Sequence, residues 1–217
     1  MSWGEVFKIN KNMKRSLDEQ LRDMKFQPIR VITATGTYTP EKTGLYKVIC
    51  VGAGGKGVVV ESGGSYMGGG GGGGVAIKTL RLVKSTSYNI TIGTTASFSN
   101  TLTATAGSSP MVVSGVETPG KGGTATGGDN NFTGESGEFY VNDYANYTCR
   151  GGSVGVMISD LSRHHFSYNS NGMLHTMGDS LLEYGGGGAA SKSAGNIVGV
   201  SNGHPAAVII IPLEMEE

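Results

Sequence analysis

The sequence predicts a mainly β protein: a β-sandwich-like domain with packed glycine-rich segments and a short N-terminal helix. Three observations carry that prediction. Short runs of β-branched and aromatic residues recur at close spacing between residues 29 and 107, the pattern of a sandwich rather than of alternating strands and helices. Glycine takes 38 of 217 positions, about 18 % where roughly 7 % is usual. The first 28 residues, by contrast, hold a single glycine, Gly4, and ten of the 34 charges. The chain therefore divides into an N-terminal segment, 1–28, and a glycine-rich β domain, 29–217.

In the first segment, apolar residues fall at Val6, Ile9, Met13, Leu17, Leu21 and Met24, spacings of 3, 4, 4, 4 and 3 that draw one stripe along a helix. Asn10 can cap the first turn and Pro28 stops the helix. A helix of about fifteen residues is marginal alone in water. The stripe Ile9, Met13, Leu17, Leu21 and Met24 must therefore dock on its own domain, on a sister chain or on another protein.

Ile29–Thr35 and Leu45–Val51 read as strands, joined by a Pro- and Gly-punctuated loop over Gly36–Gly44. Val75–Val83 alternates as a strand, and Tyr88–Gly93 and Leu102–Ala106 are shorter ones. Residues 108–203 read as loop-dominated, with glycine clusters at Gly122–Gly128, Gly151–Gly155 and Gly185–Gly188. Ala206–Ile211, bounded by Pro205 and Pro212, is a buried strand, and Glu214, Glu216 and Glu217 form a solvated acidic tail.

The run Gly68-Gly69-Gly70-Gly71-Gly72-Gly73-Gly74 needs a physical reason, because glycine loses the most conformational entropy on ordering. Such a run is either a linker or backbone packed on backbone where no Cβ fits. Strands flank it and other glycine clusters follow, so extended three-residue-per-turn segments bonded to one another are expected. The chain as a whole has no three-residue glycine period, which excludes collagen.

Seventeen basic and seventeen acidic residues cancel, against a partner bound by phosphate neutralisation, so no nucleic acid is expected. No apolar run approaches 18 residues, so no membrane insertion is expected. Met1–Asn10 contains Glu5 and no apolar core, so no signal peptide is read. Cys50 and Cys149 are too few for a disulfide scaffold or a Cys-rich zinc site; they are either two buried thiols or one bond.

Several patterns imitate catalytic motifs. Gly52-Ala53-Gly54-Gly55-Lys56-Gly57 follows a strand, but Val58-Val59-Val60 is a poor start for the helix a dinucleotide site needs. Gly115-Val116-Glu117-Thr118-Pro119-Gly120-Lys121-Gly122 puts Gly122 where a phosphate loop has Ser or Thr. Gly178-Asp179-Ser180-Leu181 spells a hydrolase block, but only His204 follows it and Ser201 stands where the partner Asp should be. His164, His165 and His175 lack the spacing of a metal site. Three N-x-T sequons, beginning at Asn89, Asn131 and Asn146, are taken as chance without a signal peptide. The expectation is no enzyme, no cofactor and no metal.

A binding reading fares better. Eight of the sixteen aromatics fall between Phe132 and Tyr184, among asparagines. Tyr and Asn on loops supply rigid amphipathic rings and hydrogen-bonding groups, and they stack on sugars. The candidate binding residues are Tyr140, Asn142, Tyr144, Asn146, Tyr147, His164, His165, Phe166, Tyr168 and Asn169.

Gly36-Thr37-Tyr38-Thr39-Pro40, the strand ending in Val51-Gly52-Ala53-Gly54-Gly55, the Gly68–Gly74 block, Tyr88-Asn89-Ile90-Thr91-Ile92-Gly93, Ser97-Phe98 and Thr103-Ala104-Thr105-Ala106-Gly107 together resemble the glycine-rich domain of bacteriophage tail-fibre and receptor-binding proteins. Gly203-His204-Pro205-Ala206-Ala207-Val208-Ile209-Ile210 resembles its last strand. The resemblance covers 36–107 well and 185–211 loosely. It implies a non-catalytic phage or prophage adhesin, carried on the virion tail or fibre and made in the bacterial cytoplasm. Its partner would be a bacterial cell-surface glycan or protein, and its reading loops would lie at about 108–184, chiefly Asp129–Arg150 and Ser159–Tyr184. Residues 1–28 would dock on other tail or fibre proteins or build a homotrimer. The glycine segments here are fewer and less regular than in T-even tip adhesins, and the N-terminal helix is shorter. Two alternatives stand beside this one: a structural fibre-tip cap or decoration protein without a receptor, and, more remotely, a surface-polysaccharide esterase or hydrolase.

Overall fold

The computed structural model describes residues 28–60, 66–113, 116–141, 147–154, 165–168, 174–177, 184–188, 190–193 and 196–216. The expected N-terminal helix, with Ile9, Met13, Leu17, Leu21 and Met24, lies outside them. Among the described residues there is no helix. The strands in chain order are β1 (Arg30–Ile32), β2 (Gly36–Tyr38), β3 (Gly44–Val51), β4 (Val58–Val60), β5 (Tyr66–Gly68), β6 (Val75–Leu82), β7 (Tyr88–Thr91), β8 (Thr95–Phe98), β9 (Leu102–Thr105) and β10 (Met111–Val113). They continue with β11 (Val116–Thr118), β12 (Ala125–Thr126), β13 (Asn130–Phe132), β14 (Phe139–Val141), β15 (Tyr147–Cys149), β16 (His165–Tyr168), β17 (Leu174–Met177), β18 (Ala190–Ser193), β19 (Asn196–Val200) and β20 (Ala207–Met215).

Two five-stranded sheets form the sandwich, one ordered β1-β20-β3-β6-β13 and the other β12-β9-β8-β7-β2. Alternation places the inward residues of each strand in one core. Tyr46, Val48, Cys50, Ala76, Leu82, Val208 and Ile210 of the first sheet meet Ile90, Ala96, Phe98, Leu102 and Ala104 of the second. Phe98 stacks on Tyr88 at 5.4 Å, and the buried Tyr46 hydroxyl donates to the Lys42 carbonyl at 2.8 Å. The mainly β, sandwich-like fold with packed glycine segments is the one the sequence predicts.

Details differ. Gly36–Tyr38, expected within a loop, is β2, because pairing with β7 and the edge-on packing of Tyr38 against Tyr46 hold it extended. Asp129–Phe132, expected at the start of a long loop, turns into β13 at the edge of the first sheet, with Phe132 packed under Val51 and Val75. The last strand runs through Pro212 to Met215, with a bulge after Pro212. Because β1 pairs only with Val208–Ile210, β20 has an open side at Pro212, where the missing N–H costs no ladder bond.

From one end of the sandwich the chain continues as glycine-rich rods. The run 69–74 is the central one, and its bonds repeat every third residue. The amides of Gly69 and Gly72 donate to Glu138 and Glu135, those of Gly70 and Gly73 to Gly188 and Gly185, and those of Gly71 and Gly74 to Ser108 and Thr105. Its carbonyls accept from three more rods: Gly70 from Gly152, Gly71 and Gly74 from Gly55 and Gly52, and Gly72 from Gly123. Three bonds out and three in, at 120° per residue, give the central rod six neighbours. Those neighbours also bond to one another in chain order around the ring. Gly107 donates to Ala53, Ser108 to Lys121, Gly134 to Gly123, Glu138 to Arg150, Gly187 to Gly152 and Gly188 to Gly55. The segment 201–205 lies outside the ring, with Gly54 donating to His204 and His204 donating to Gly186.

This packing explains the glycine run. A Cβ on Gly69, Gly70, Gly71, Gly72 or Gly73 would meet a backbone carbonyl of Arg150, Gly55, Lys121, Ser153 or Gly52, closer than the 3.0 Å below which real Cβ atoms essentially never come. Glycine is also needed at Gly185, for φ is +78° where Tyr184 hands the chain into the ring.

Candidate functional site

The candidate site is the end of the glycine bundle opposite the sandwich. Rods leaving the sandwich, such as 52–57 and 133–138, return through 69–74 and 150–154, and the strands between them, β4, β5, β14 and β15, gather at that far end. Three small sheets build it: β14-β5-β4, β15-β18-β19 and the hairpin β10-β11. Beneath them Met67, Cys149 and Ala190 are buried together, with Val59 packed against them. The tip therefore has its own small core.

Five of the predicted binding residues lie on described strands. Tyr140 lies on β14 opposite Met67, and Tyr147 lies on β15 opposite Lys192. His165, Phe166 and Tyr168 lie on β16, paired with β17 from Met177 to Leu174. β14 runs next to β15, and β16 lies against β15 and β18. The backbone thus brings the strands of Tyr140, Tyr147 and His165–Tyr168 into one neighbourhood. Asn142, Tyr144, Asn146, His164 and Asn169 lie outside the described residues, as does the block Gly178–Leu181.

Sequence reasoning passed over one feature of this end. Tyr66 and Phe139 stack, with centroids 6.5 Å apart and an interplanar angle of 25°, and both remain partly exposed. The pairs Tyr66–Val141 and Gly68–Phe139 set their register, and Gly68 leaves room for Pro110 and the Phe139 ring beside it. Tyr66 lies outside the loops singled out for reading, so only the closure of the ring reveals that 58–68 reaches the same end as 139–149. Met111, at the start of the third hairpin, is 56 % exposed.

Among the described residues, this end offers the partly exposed Tyr66–Phe139 stack and the exposed Met111. The described residues hold no group of three or more His, Cys, Asp or Glu side chains that could hold a metal ion, and no helix long and apolar enough to cross a membrane. The Gly52–Gly57 motif is a ring rod whose Gly52, Gly54, Gly55 and Gly57 amides donate to Gly74, His204, Gly71 and Ser201, and 120–123 is another, in which Lys121 donates to the Ser108 hydroxyl and Gly123 to Gly72, so those amides are already used within the bundle. Cys50 and Cys149 are free thiols buried in different clusters, and burial pushes each up to about 12. Neither is positioned or ionised as a nucleophile. Glu135 accepts from the Ser153 hydroxyl at 2.6 Å, a bond between two rods of the ring.

A family model described as a glycine-rich domain matches residues 32–207. No curated protein matches the chain.

Proposed function

The chain belongs to the glycine-rich domain family, and from that premise we propose that it is a non-catalytic receptor-binding protein of a bacteriophage or prophage tail. Its partner would be a glycan or protein on a bacterial surface. The observation that carries this reading is the polarity of the molecule. Arg30 pairs with Ile210 and Met215 with Gly44, so both ends of the described chain leave from the sandwich end. The strands β4, β5, β10, β11, β14, β15, β18 and β19 all lie at the other end of the bundle. A molecule built this way can be held at one end and present the tip strands at the other. The sandwich end, into which residues 1–28 lead, is then the attachment side for other tail or fibre proteins. The resemblance of residues 36–107 to phage adhesin domains and the Tyr- and Asn-rich character of 139–169 support the same reading. Many weak copies on one virion would supply avidity.

The test follows the ring. Residues 133–138 and 150–154 are two of its six members, so an exchange of the whole of 129–184 would remove structure together with any site. Labelled protein is therefore compared with two versions, one with 142–146 and one with 155–183 replaced by a Gly/Ser link, on a panel of bacterial cells. Saturable binding to some strains, lost in a replaced version that still folds, supports receptor recognition. A folded, artificially multimerised protein that binds no strain overturns it in favour of a structural tip cap.

A further inference from the structure

We propose that the apolar stripe Ile9, Met13, Leu17, Leu21 and Met24 docks on the outer face of the first sheet of the same chain. This does not depend on the function proposed above. It starts from the register of that sheet. Val31, Ile209, Ile49 and Ile77 stand in one row across β1, β20, β3 and β6, all on the side away from the sandwich core. Ile211 and Leu45 continue this face toward the sandwich end. Exposures of 59 % for Ile29, 51 % for Leu213, 48 % for Val31 and 38 % for Leu45 show the face open there. Its half nearest the glycine bundle is covered, because Val154 and Tyr184 pack over Val51, Val75 and Phe132. One half of this face is thus roofed; the bare half is apolar along β1 and β20 and at Leu45, with Lys47, Thr79 and Arg81 on the same side of β3 and β6.

The chain itself supplies a roof. Residue 28 passes directly into Ile29 and Val31, two members of the bare patch, on the edge strand β1. The residues before it carry an apolar stripe from Ile9 to Met24, roughly 22 Å long at about 1.5 Å per residue. The bare apolar strip runs over β1, β20 and the Leu45 end of β3, strands about 4.8 Å apart, so the stripe is long enough to cross it. The stripe and this strip are both apolar, each is unstable in water alone, and a chain with no net charge has little repulsion to keep bare patches of two copies apart. β16, which follows Val154 in the described chain, lies against β15 and β18 at the tip. Docking in cis makes the first sheet the middle of three layers. It turns Lys11, Arg15, Glu19 and Arg22, which oppose the stripe on a helical wheel, outward toward any attachment partner.

The test uses the full chain with single cysteines added in pairs: Ile211→Cys with Met13→Cys, Leu17→Cys or Leu21→Cys, and Ile211→Cys with Glu19→Cys as the polar-side control. Cys50 and Cys149 are buried and stay silent while the protein is folded. Treatment with a short bismaleimide should give a cross-linked monomer at one or more stripe positions. It should form roughly tenfold or more faster than with Glu19→Cys, which is tethered alike but turned away from the sheet. A cross-linked dimer as the main product would overturn the proposal in favour of a second copy of the chain. No product at any stripe position, or equal rates for stripe and control, would overturn it and leave the face to a different protein.

Discussion

The Gly72 amide donates to the Glu135 carbonyl at 2.9 Å, joining the centre of the glycine run to a rod that contains only two glycines, Gly134 and Gly137. The same Glu135 reaches sideways with its carboxylate to the Ser153 hydroxyl at 2.6 Å. Its main chain holds the hub and its side chain holds the next rod on the rim.

The hub should therefore tolerate no side chain. In Gly71→Ala the new methyl would press on the Lys121 carbonyl and peptide carbon. Overpacking typically costs about 1–3 kcal/mol, and backbone on both sides cannot yield as a side chain would. A loss of at least about 3 kcal/mol in urea unfolding is expected. Gly93→Ala, where a Cβ meets nothing within 4 Å, should stay within about 0.5 kcal/mol. Equal effects of the two would show that the rods are not packed as described.

Alkaline pH should destabilise the fold. Burial raises the Cys50 and Cys149 thiols from 9.0 to about 12, and the Tyr46 phenol from 10.0 to about 12. The folded state then holds protons that the unfolded state has already released, so stability is complete below about pH 9 and falls as pH rises toward 12. Unfolding midpoints measured from pH 7 to 11 should be level at first and then decline. In parallel, a thiol reagent at pH 8 should find both cysteines only after denaturation.

The ion pair of Arg81 with Glu216, at 2.5 and 2.6 Å, should contribute nothing measurable to stability. Arg81 holds the Glu216 carboxyl below its ordinary value, yet both groups stand in solvent, where screening and side-chain entropy offset the attraction. Glu216→Gln should leave the thermal midpoint unchanged at low and at high salt. A drop confined to low salt would show the pair to be structural.

At the tip, Tyr66→Ala and Phe139→Ala should weaken cell binding by about tenfold or more while costing stability only about 1 kcal/mol, the usual worth of such a stack. Binding isotherms beside unfolding curves separate the two effects. Full binding by both variants would place the reading surface elsewhere on the tip.

Much of the sandwich was legible in the residues themselves. Leu45–Val51, Val75–Leu82 and the Val208–Ile211 run announce themselves by β-branched composition and alternation. β2 and β8 were harder, because Gly36–Tyr38 and Thr95–Phe98 owe their extension to partners β7 and β9 rather than to propensity. The glycine block announced backbone packing, but the ring around it was hidden. A rim rod carries only a few glycines, some facing the hub, as Gly134 and Gly137 do, and others facing the next rod on the rim, as Gly122 and Gly123 do. That signal is two residues long and drowns in a chain so rich in glycine. The tip stack was equally hidden, because Tyr66 and Phe139 become neighbours only once the ring has closed.

The rods are continuous with the strands: β3 leads straight into 52–57, and 69–74 leads straight into β6. A pull between the sandwich end and the tip therefore runs along the axis of every rod. The hydrogen bonds between rods lie across that axis and would be loaded together, in shear, instead of opening one after another like a zipper. With little interior but main chain, the bundle has few side chains to slip past one another, so it acts as a stiff shaft that carries tension between its two ends.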